Sequence, residues 1–234
     1  MNISVAGYTH VGGRDNNEDS YGIFDRELGK LCVVADGLGG HAYGEVASRA
    51  ALETVEKNIY GTLSDERMLD AANKANEEVL RISQAERMNT TLAALWLQDG
   101  QGLTASVGDT RIYQFRDGRI IYQSRDHSLA HLNALSGDSY FDDVRSDPDR
   151  NRLIRVVGMK EGFKVDISPI SYRVGDAFLL CSDGFWEDVL EPEMIRALQD
   201  MSNAQQWLDA MCGILKPRLH SNSDNNTAIA VMIV

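Results

Sequence analysis

The sequence predicts an α+β fold in which two antiparallel β-sheets pack face to face and pairs of helices flank them, an αββα sandwich. Three observations point there. Strand-like apolar runs come in blocks instead of alternating with helices, which argues against a parallel βαβ sheet. Helix-like stretches come in neighbouring pairs, each with one apolar face. Only four prolines occur in 234 residues, with no internal repeat and no shift in composition, so one domain, 1–234, is the simplest organisation.

The elements follow in chain order. ISVAGYT (3–9), SYGIF (20–24) and LCVVA (31–35) read as strands from their apolar and β-branched content. Two helical patterns come next. Residues 45–60 carry Val46, Ala47, Ala50, Ala51 and Val55, and residues 65–86 carry Leu69, Ala72, Ala75, Val79 and Ile82 on one face. Core packing is the reading preferred for both stripes. TTLAALWL (90–97), LTASV (103–107), RIYQF (111–115) and IIYQ (120–123) form a second block of strands, the last two joined by a hairpin turn at RDG (116–118). A short helix near 129–135 leads into the polar stretch SGDSYFDDVRSDPDR (136–150), long for a plain connection and therefore a candidate flap, taken as 129–157. FKVDISPI and AFLLCS read as strands, 193–200 and 204–215 as helices, and TAIAVMIV as a final strand.

Composition excludes several function classes. With 43% hydrophobic residues the chain has material for a sizeable core and needs no disulfide or structural metal to fold. A net charge of −12 repels nucleic acid and anionic lipid, and no basic stripe reverses this. Part of the acidity fits a carboxylate cluster for hard cations. Cys32, Cys181 and Cys212 form neither a disulfide framework nor a zinc motif, and the first two are expected as buried thiols. The opening MNISVAGYTH lacks the features of a secretory signal, and no run reaches the length of a membrane span, so a cytoplasmic setting is expected.

The chemistry is written at the strand ends. Asp36 follows CVVA and precedes Gly37. Asp109 follows TASV through Gly108, and Asp183 follows LLCS and precedes Gly184. Glu18 and Asp19 precede one strand, and Asp224 precedes another. Singly, each reads as turn chemistry. Together they are unfavourable unless a cation offsets their repulsion. An all-oxygen ligand set favours Mg²⁺ or Mn²⁺ over Zn²⁺. His127 and His131 have the spacing of a metal pair but lack the acid between them, and are read as structural.

RDNNEDS, DGLGGH, NTTLAAL, VGDTRIY, RDHSL, NRLIRVVG, LLCSDGFWE and SDNNTAIAV, in that order from Arg14 to Val231, resemble the metal-dependent protein phosphatases, the type 2C serine/threonine phosphatases, in their short bacterial form. The resemblance implies two packed sheets with metals in a cleft at one sandwich edge. It implies that Asp36, Asp183 and Asp224 hold a dinuclear centre with the carbonyl of Gly37, that Glu18 is linked to that centre, and that Asp19 and Asn225 support it. Arg14 would grip the substrate phosphate, and Asp109 with Asp183 would hold a third, weaker ion. Asp126, His127 and Ser128 would form the base of the flap. Eukaryotic relatives often carry a histidine two residues after the first metal aspartate; here that residue is Leu38. His41 is then either the proton donor or a helix N-terminal or packing histidine. Trp186 is expected to be a packing or surface aromatic.

The implied activity is hydrolysis of phosphoserine and phosphothreonine in proteins. A water bridging two Mn²⁺ or Mg²⁺ ions would attack phosphorus without a phosphoenzyme. The implied partners are phosphorylated proteins and a cognate serine/threonine kinase, and a monomer is expected. SDGFWE is similar to phosphatases associated with type VI secretion clusters. Two other classes stay open. A scaffold that has lost catalysis would lack a metal acid, and none is missing. A calcineurin-type metallo-esterase would need several histidine ligands, and the five histidines include no GNH-like motif.

Overall fold

The computed structural model describes residues 1–39, 43–83, 88–137 and 141–234, with 141–143 as backbone alone. In chain order its elements are β1 (Ile3–His10), β2 (Asp19–Arg26), β3 (Gly29–Leu38), α1 (Tyr43–Asn58), α2 (Asp65–Ile82), β4 (Asn89–Thr90), β5 (Leu92–Gln98), β6 (Gln101–Val107), β7 (Arg111–Arg116) and β8 (Arg119–Gln123). They continue with α3 (Leu129–Ser136), a 3₁₀ turn (Phe141–Ser146), β9 (Asp166–Ser171), β10 (Ala177–Cys181), α4 (Asp183–Trp186), α5 (Glu191–Leu198), α6 (Ala204–Leu215) and β11 (Asn226–Ile233).

The strands form two antiparallel sheets, ordered β1-β11-β10-β7-β8 and β2-β3-β5-β6-β9, with β4 paired to the end of β3. Strand periodicity explains the layering, because successive side chains point to opposite faces. In β3, Cys32 and Val34 face the other sheet while Leu31 and Val33 face α1 and α2. In β10, Phe178 and Leu180 enter the inter-sheet core while Leu179 and Cys181 pack under α5 and α6. Both faces of the central strands are thus buried, which is why they read as continuous apolar runs. The predicted αββα sandwich is the observed architecture.

Local rules account for the helix starts and the turns. Ser64 caps α2, its hydroxyl accepting from the Arg67 N–H. Asp117 and Gly118, both at positive φ, make the tight β7–β8 turn that RDG predicts.

Some expectations are corrected. Leu69 and Val46 are exposed; α2 instead buries Met68, Ala71, Ala72, Ala75 and Val79, because small alanines let it approach α1 and the sheet. The strand expected from Phe163 begins at Asp166. The strand expected over 90–97 breaks at Thr91, whose hydroxyl accepts from the Asp36 N–H at 2.8 Å in place of a ladder carbonyl. Asp36 and Gly37 do not lie in a turn. β3 runs through both, pairing Asp36 with Asp19 and Gly37 with Thr90.

Candidate active site

One edge of the sandwich opens into a cleft of about 470 Å³ whose lining includes Arg14, Glu18, Asp36, Gly37, Asp109, Asp183, Asp224 and Asn225. Residues spread over more than 200 positions of the sequence thus meet at one place, each delivered by a different local device.

Asp36 sits at the ladder defect just described, its carbonyl accepting from the Thr91 N–H and the Thr90 hydroxyl, both at 2.8 Å. Its neighbour Gly37 allows close approach. A Cβ there would lie 2.2 Å from the carbonyl oxygen of Gly44 in α1. Glu18 is fixed through its backbone: its N–H donates to Asn225 Oδ1 (2.7 Å), and its carbonyl accepts from Ser48 Oγ (2.6 Å). Asp109 follows Gly108, which holds φ at +94° and leaves no room for a side chain beside Thr91. Asp183 is the first residue of α4, so the acid after LLCS starts a helix, with Oδ1 accepting from the Gly184 N–H (2.6 Å). Asp224 immediately precedes the Asn225 that leads into β11.

Two residues, Asn225 in the lining and Asp19 behind it, lock these parts together. The Asn225 amide donates to the carbonyls of Val11 (2.8 Å) and Asn16 (2.9 Å), so it holds both ends of the loop that carries Arg14 as well as the backbone of Glu18. Buried Asp19 accepts from Ser182 Oγ at 2.8 Å, joining β2 to the turn before Asp183. Its other oxygen has no hydrogen-bond donor among the described residues. Arg14 donates from Nη2 to Asp224 Oδ2 at 2.8 Å, with both side chains well exposed.

The electrostatics show a site short of positive charge. Burial pushes the Asp19 carboxyl up to about 6. Burial and then repulsion from Asp224 and Glu187 push Asp183 up to about 7. Asp36 and Asp109 lie well above the usual carboxylate range, through burial first and then neighbouring acids, Asp19 and Asp183 for Asp36 and Asp183 for Asp109. An all-oxygen set of mutually repelling acids, with one buried carboxylate oxygen lacking a donor, fits hard divalent cations. Among the described residues no three His, Cys, Asp or Glu side chains close into a cage on one point. Cations held here by few protein ligands would keep several waters.

The three residues predicted at the flap base lie behind Asp109. Buried Asp126 pairs with Arg111 (2.7 Å). Burial lowers the pKa of His127, so its ring is neutral. Its Nδ1 accepts from the Gly108 N–H (3.1 Å), which leaves the proton on Nε2, 3.2 Å from Asp166 Oδ2. Ser128 caps α3 through the His131 N–H. The 129–157 segment closes on itself there: the Leu129 N–H donates to Arg152 O, and the Ile154 N–H to His127 O. Asn151 and Leu153 of this segment also line the cleft. His41 lies outside the described residues. Trp186, expected to be a packing or surface aromatic, is buried, with its indole N–H on the Asp109 carbonyl at 2.9 Å. Nothing in the local sequence signals that bond.

Comparison with known proteins agrees with this geometry. The protein phosphatase 2C profile matches residues 6–222. The chain is 30% identical to the serine/threonine phosphatase stp of Listeria monocytogenes, over 93% of this chain and 90% of the relative. Two solved structures are similar over nearly their full lengths. PppA, a key regulatory component of T6SS in Pseudomonas aeruginosa, is 28% identical with a TM-score of 0.85, covering 100% of this chain and 99% of that one. The catalytic domain of the serine/threonine protein phosphatase PstP in complex with 2 manganese ions is 26% identical with a TM-score of 0.82, covering 99% and 98%.

Proposed function

This chain belongs to the protein phosphatase 2C family and is a serine/threonine phosphatase, and from that premise we propose how its own residues divide the work. The observation that carries the assignment is the convergence of Glu18, Asp36, Asp109, Asp183 and Asp224 with Arg14 on one cleft of oxygen donors. Asp36, Asp183, Asp224 and the carbonyl of Gly37 would hold two Mn²⁺ or Mg²⁺ ions, with Glu18 linked to them; Asp19 and Asn225 hold these ligands in place. Asp109, with Asp183, would hold a third and weaker ion. When bound, such ions supply Lewis acidity to the phosphoryl group and lower the pKa of water in the cleft.

The remaining work falls to the chain. Arg14 is exposed and, among the described residues, its side chain is held by Asp224 alone, so it can swing onto the substrate phosphate with two parallel N–H donors. That movement releases Asp224. Asn225 keeps the Arg14 loop and Glu18 in one register, so phosphate and acids stay aligned. None of the three cysteines is a nucleophile: all are buried, and burial pushes Cys32 up to about 12 and Cys212 up to about 11. Direct hydrolysis without a phosphoenzyme is the route that the family resemblance implies and the one proposed here. His41 is the candidate proton donor to the leaving serine or threonine oxygen, on its position in the sequence alone. Segment 129–157 acts as a flap over the cleft within a single domain. The substrates are phosphoproteins made by a cognate serine/threonine kinase, and the enzyme works as a cytoplasmic monomer. The likeness to PppA, together with SDGFWE, supports a regulatory role in a T6SS.

Release of phosphate from a phosphothreonine peptide tests the core of this reading. Activity should vanish with EDTA and return with Mn²⁺. Asp36→Ala and Asp183→Ala should remove turnover while circular dichroism stays unchanged. Full turnover in a metal-stripped sample, or by either variant, would overturn it.

A further inference from the structure

The cleft is not closed on the side of Arg14. A groove of about 430 Å³, lined by Gly13, Arg14, Asp15, Ser221 and Asn222, adjoins it, and Arg14 and Asp15 line both. Two loops held backbone to backbone build this groove. The Gly13 N–H donates to Ser223 O (2.8 Å), and a Cβ on Gly13 would lie 2.3 Å from Ser221 O. The turn at 220–223 is fixed from within, because the Ser223 N–H donates to His220 O (3.0 Å) and the His220 N–H to Ser223 Oγ (2.9 Å). The loop that carries Arg14 and Asp15 is fixed by Asn225, which holds the carbonyls of Val11 and Asn16. The groove is thus formed before anything binds in it.

Its polar side chains are unspent. Asp15, Ser221 and Asn222 are exposed, and among the described residues their side chains make no hydrogen bond or ion pair. Neighbouring Arg14, by contrast, is paired with Asp224. Asp15 is the one charged group of the three. Ions held by Asp36, Asp183 and Asp224 would offset the charge of those acids, but Asp15 is not among their proposed ligands and keeps its own. A phosphorylated residue in the cleft belongs to a chain that must leave the cleft on both sides. Extended residues span about 3.3–3.6 Å each, so a groove that begins at Arg14 meets residues within about three positions of the phosphorylated one.

We infer that this groove is a specificity subsite in which Asp15 reads a lysine or arginine of the substrate close to the phosphorylated residue, while Ser221 and Asn222 hydrogen-bond the substrate backbone. The inference rests on the phosphatase reading of the cleft and narrows its substrates to phosphoproteins with a basic flank. The net charge of −12 favours the same approach.

Phosphonate analogues of phosphothreonine peptides, which cannot be hydrolysed, test it by fluorescence anisotropy in Mn²⁺. The peptides differ at one flanking position, lysine against glutamine, and the position is walked along both flanks. The wild-type protein should bind the best lysine peptide about threefold more tightly than its glutamine partner, the weight of one exposed ion pair. That margin should shrink as salt rises. Asp15→Asn should bring the ratio to about one, and Asp15→Glu should restore it. Asp15→Lys should turn the preference towards glutamate at the same position, which a merely structural role could not do. Each ratio compares two peptides on one protein, so a general loss of binding cancels. No lysine preference at any flanking position, or one that survives in Asp15→Asn and Asp15→Lys, would overturn the subsite. Turnover of the matching phosphothreonine peptides judges the phosphatase reading separately. Absence of turnover beside intact binding ratios would overturn that reading and uphold the subsite.

Discussion

Arg14 and Asp224 form an exposed ion pair, and such pairs contribute about 0–1 kcal/mol to stability. Its interest is functional, since one partner is proposed for phosphate and the other for metal. Arg14→Lys should raise KM, because lysine offers a point charge where arginine offers a planar fork, with a cost of about 1.5–3 kcal/mol for the charged hydrogen bonds. Arg14→Ala should raise KM further. Neither variant should raise the Mn²⁺ requirement, because removing the guanidinium leaves Asp224 freer to bind metal. Steady-state kinetics at several Mn²⁺ concentrations checks both halves, and an unchanged KM removes Arg14 from the site. At this scale the acids were legible because each sits at a strand end beside a turn-forming residue. Asn225 was placed in support by resemblance, but its ties to Val11, Asn16 and Glu18 span 207 to 214 residues and no local pattern contains them. The bond from Trp186 to Asp109 spans 77 residues and was missed for the same reason.

Among the elements, β3 and α1 meet through glycine. A Cβ on Gly37 would lie 2.2 Å from Gly44 O, and one on Gly44 would lie 2.5 Å from Glu18 Oε2. The contact from Gly37 is backbone on backbone, so nothing flexible can move aside there. Gly37→Ala should therefore push the start of α1 away, destabilise the protein by about 1–3 kcal/mol as overpacking does, and lower kcat by separating Asp36 from Glu18. Urea unfolding with kinetics on the same preparation measures both, and wild-type values for each would show that the approach is not needed. The sequence marked this stretch as a turn because Asp-Gly after an apolar run usually is one. What overrides that local preference is pairing with β4, a two-residue strand too short to be recognised alone. The stripe on α2 was misplaced for a related reason. Periodicity finds an apolar face, but contact with α1 and the sheet selects Met68 and Ala71 over Leu69.

For the molecule as a whole, the acid cluster makes stability depend on pH and metal together. Asp19 and Asp183 move from 3.8 in the open chain up to about 6 and about 7 in the fold. Between about pH 4 and 7 the metal-free fold binds more protons than the unfolded chain, so its stability falls as pH rises through that window. Bound cations replace those protons. The rise in Tm on adding Mn²⁺ should therefore be larger at pH 8 than at pH 5.5, and scanning calorimetry with and without EDTA will show it. Equal shifts at both pH values would mean that the cluster is not where metal binds. The sandwich itself was legible because its central strands are buried on both faces, whereas the pairing order was not. Residues 226–233 insert between β1 and β10, with Ile3 beside Ile233, and the proposed ligand Asp224 lies just ahead of them. That arrangement bears on biosynthesis. On the ribosome the six-stranded sheet and its helices have all their residues while the five-stranded sheet still has a gap at its second place. Until that gap is filled Asp224 and Asn225 have nothing to align them, so the nascent chain has no working site and cannot dephosphorylate anything before β11 has emerged.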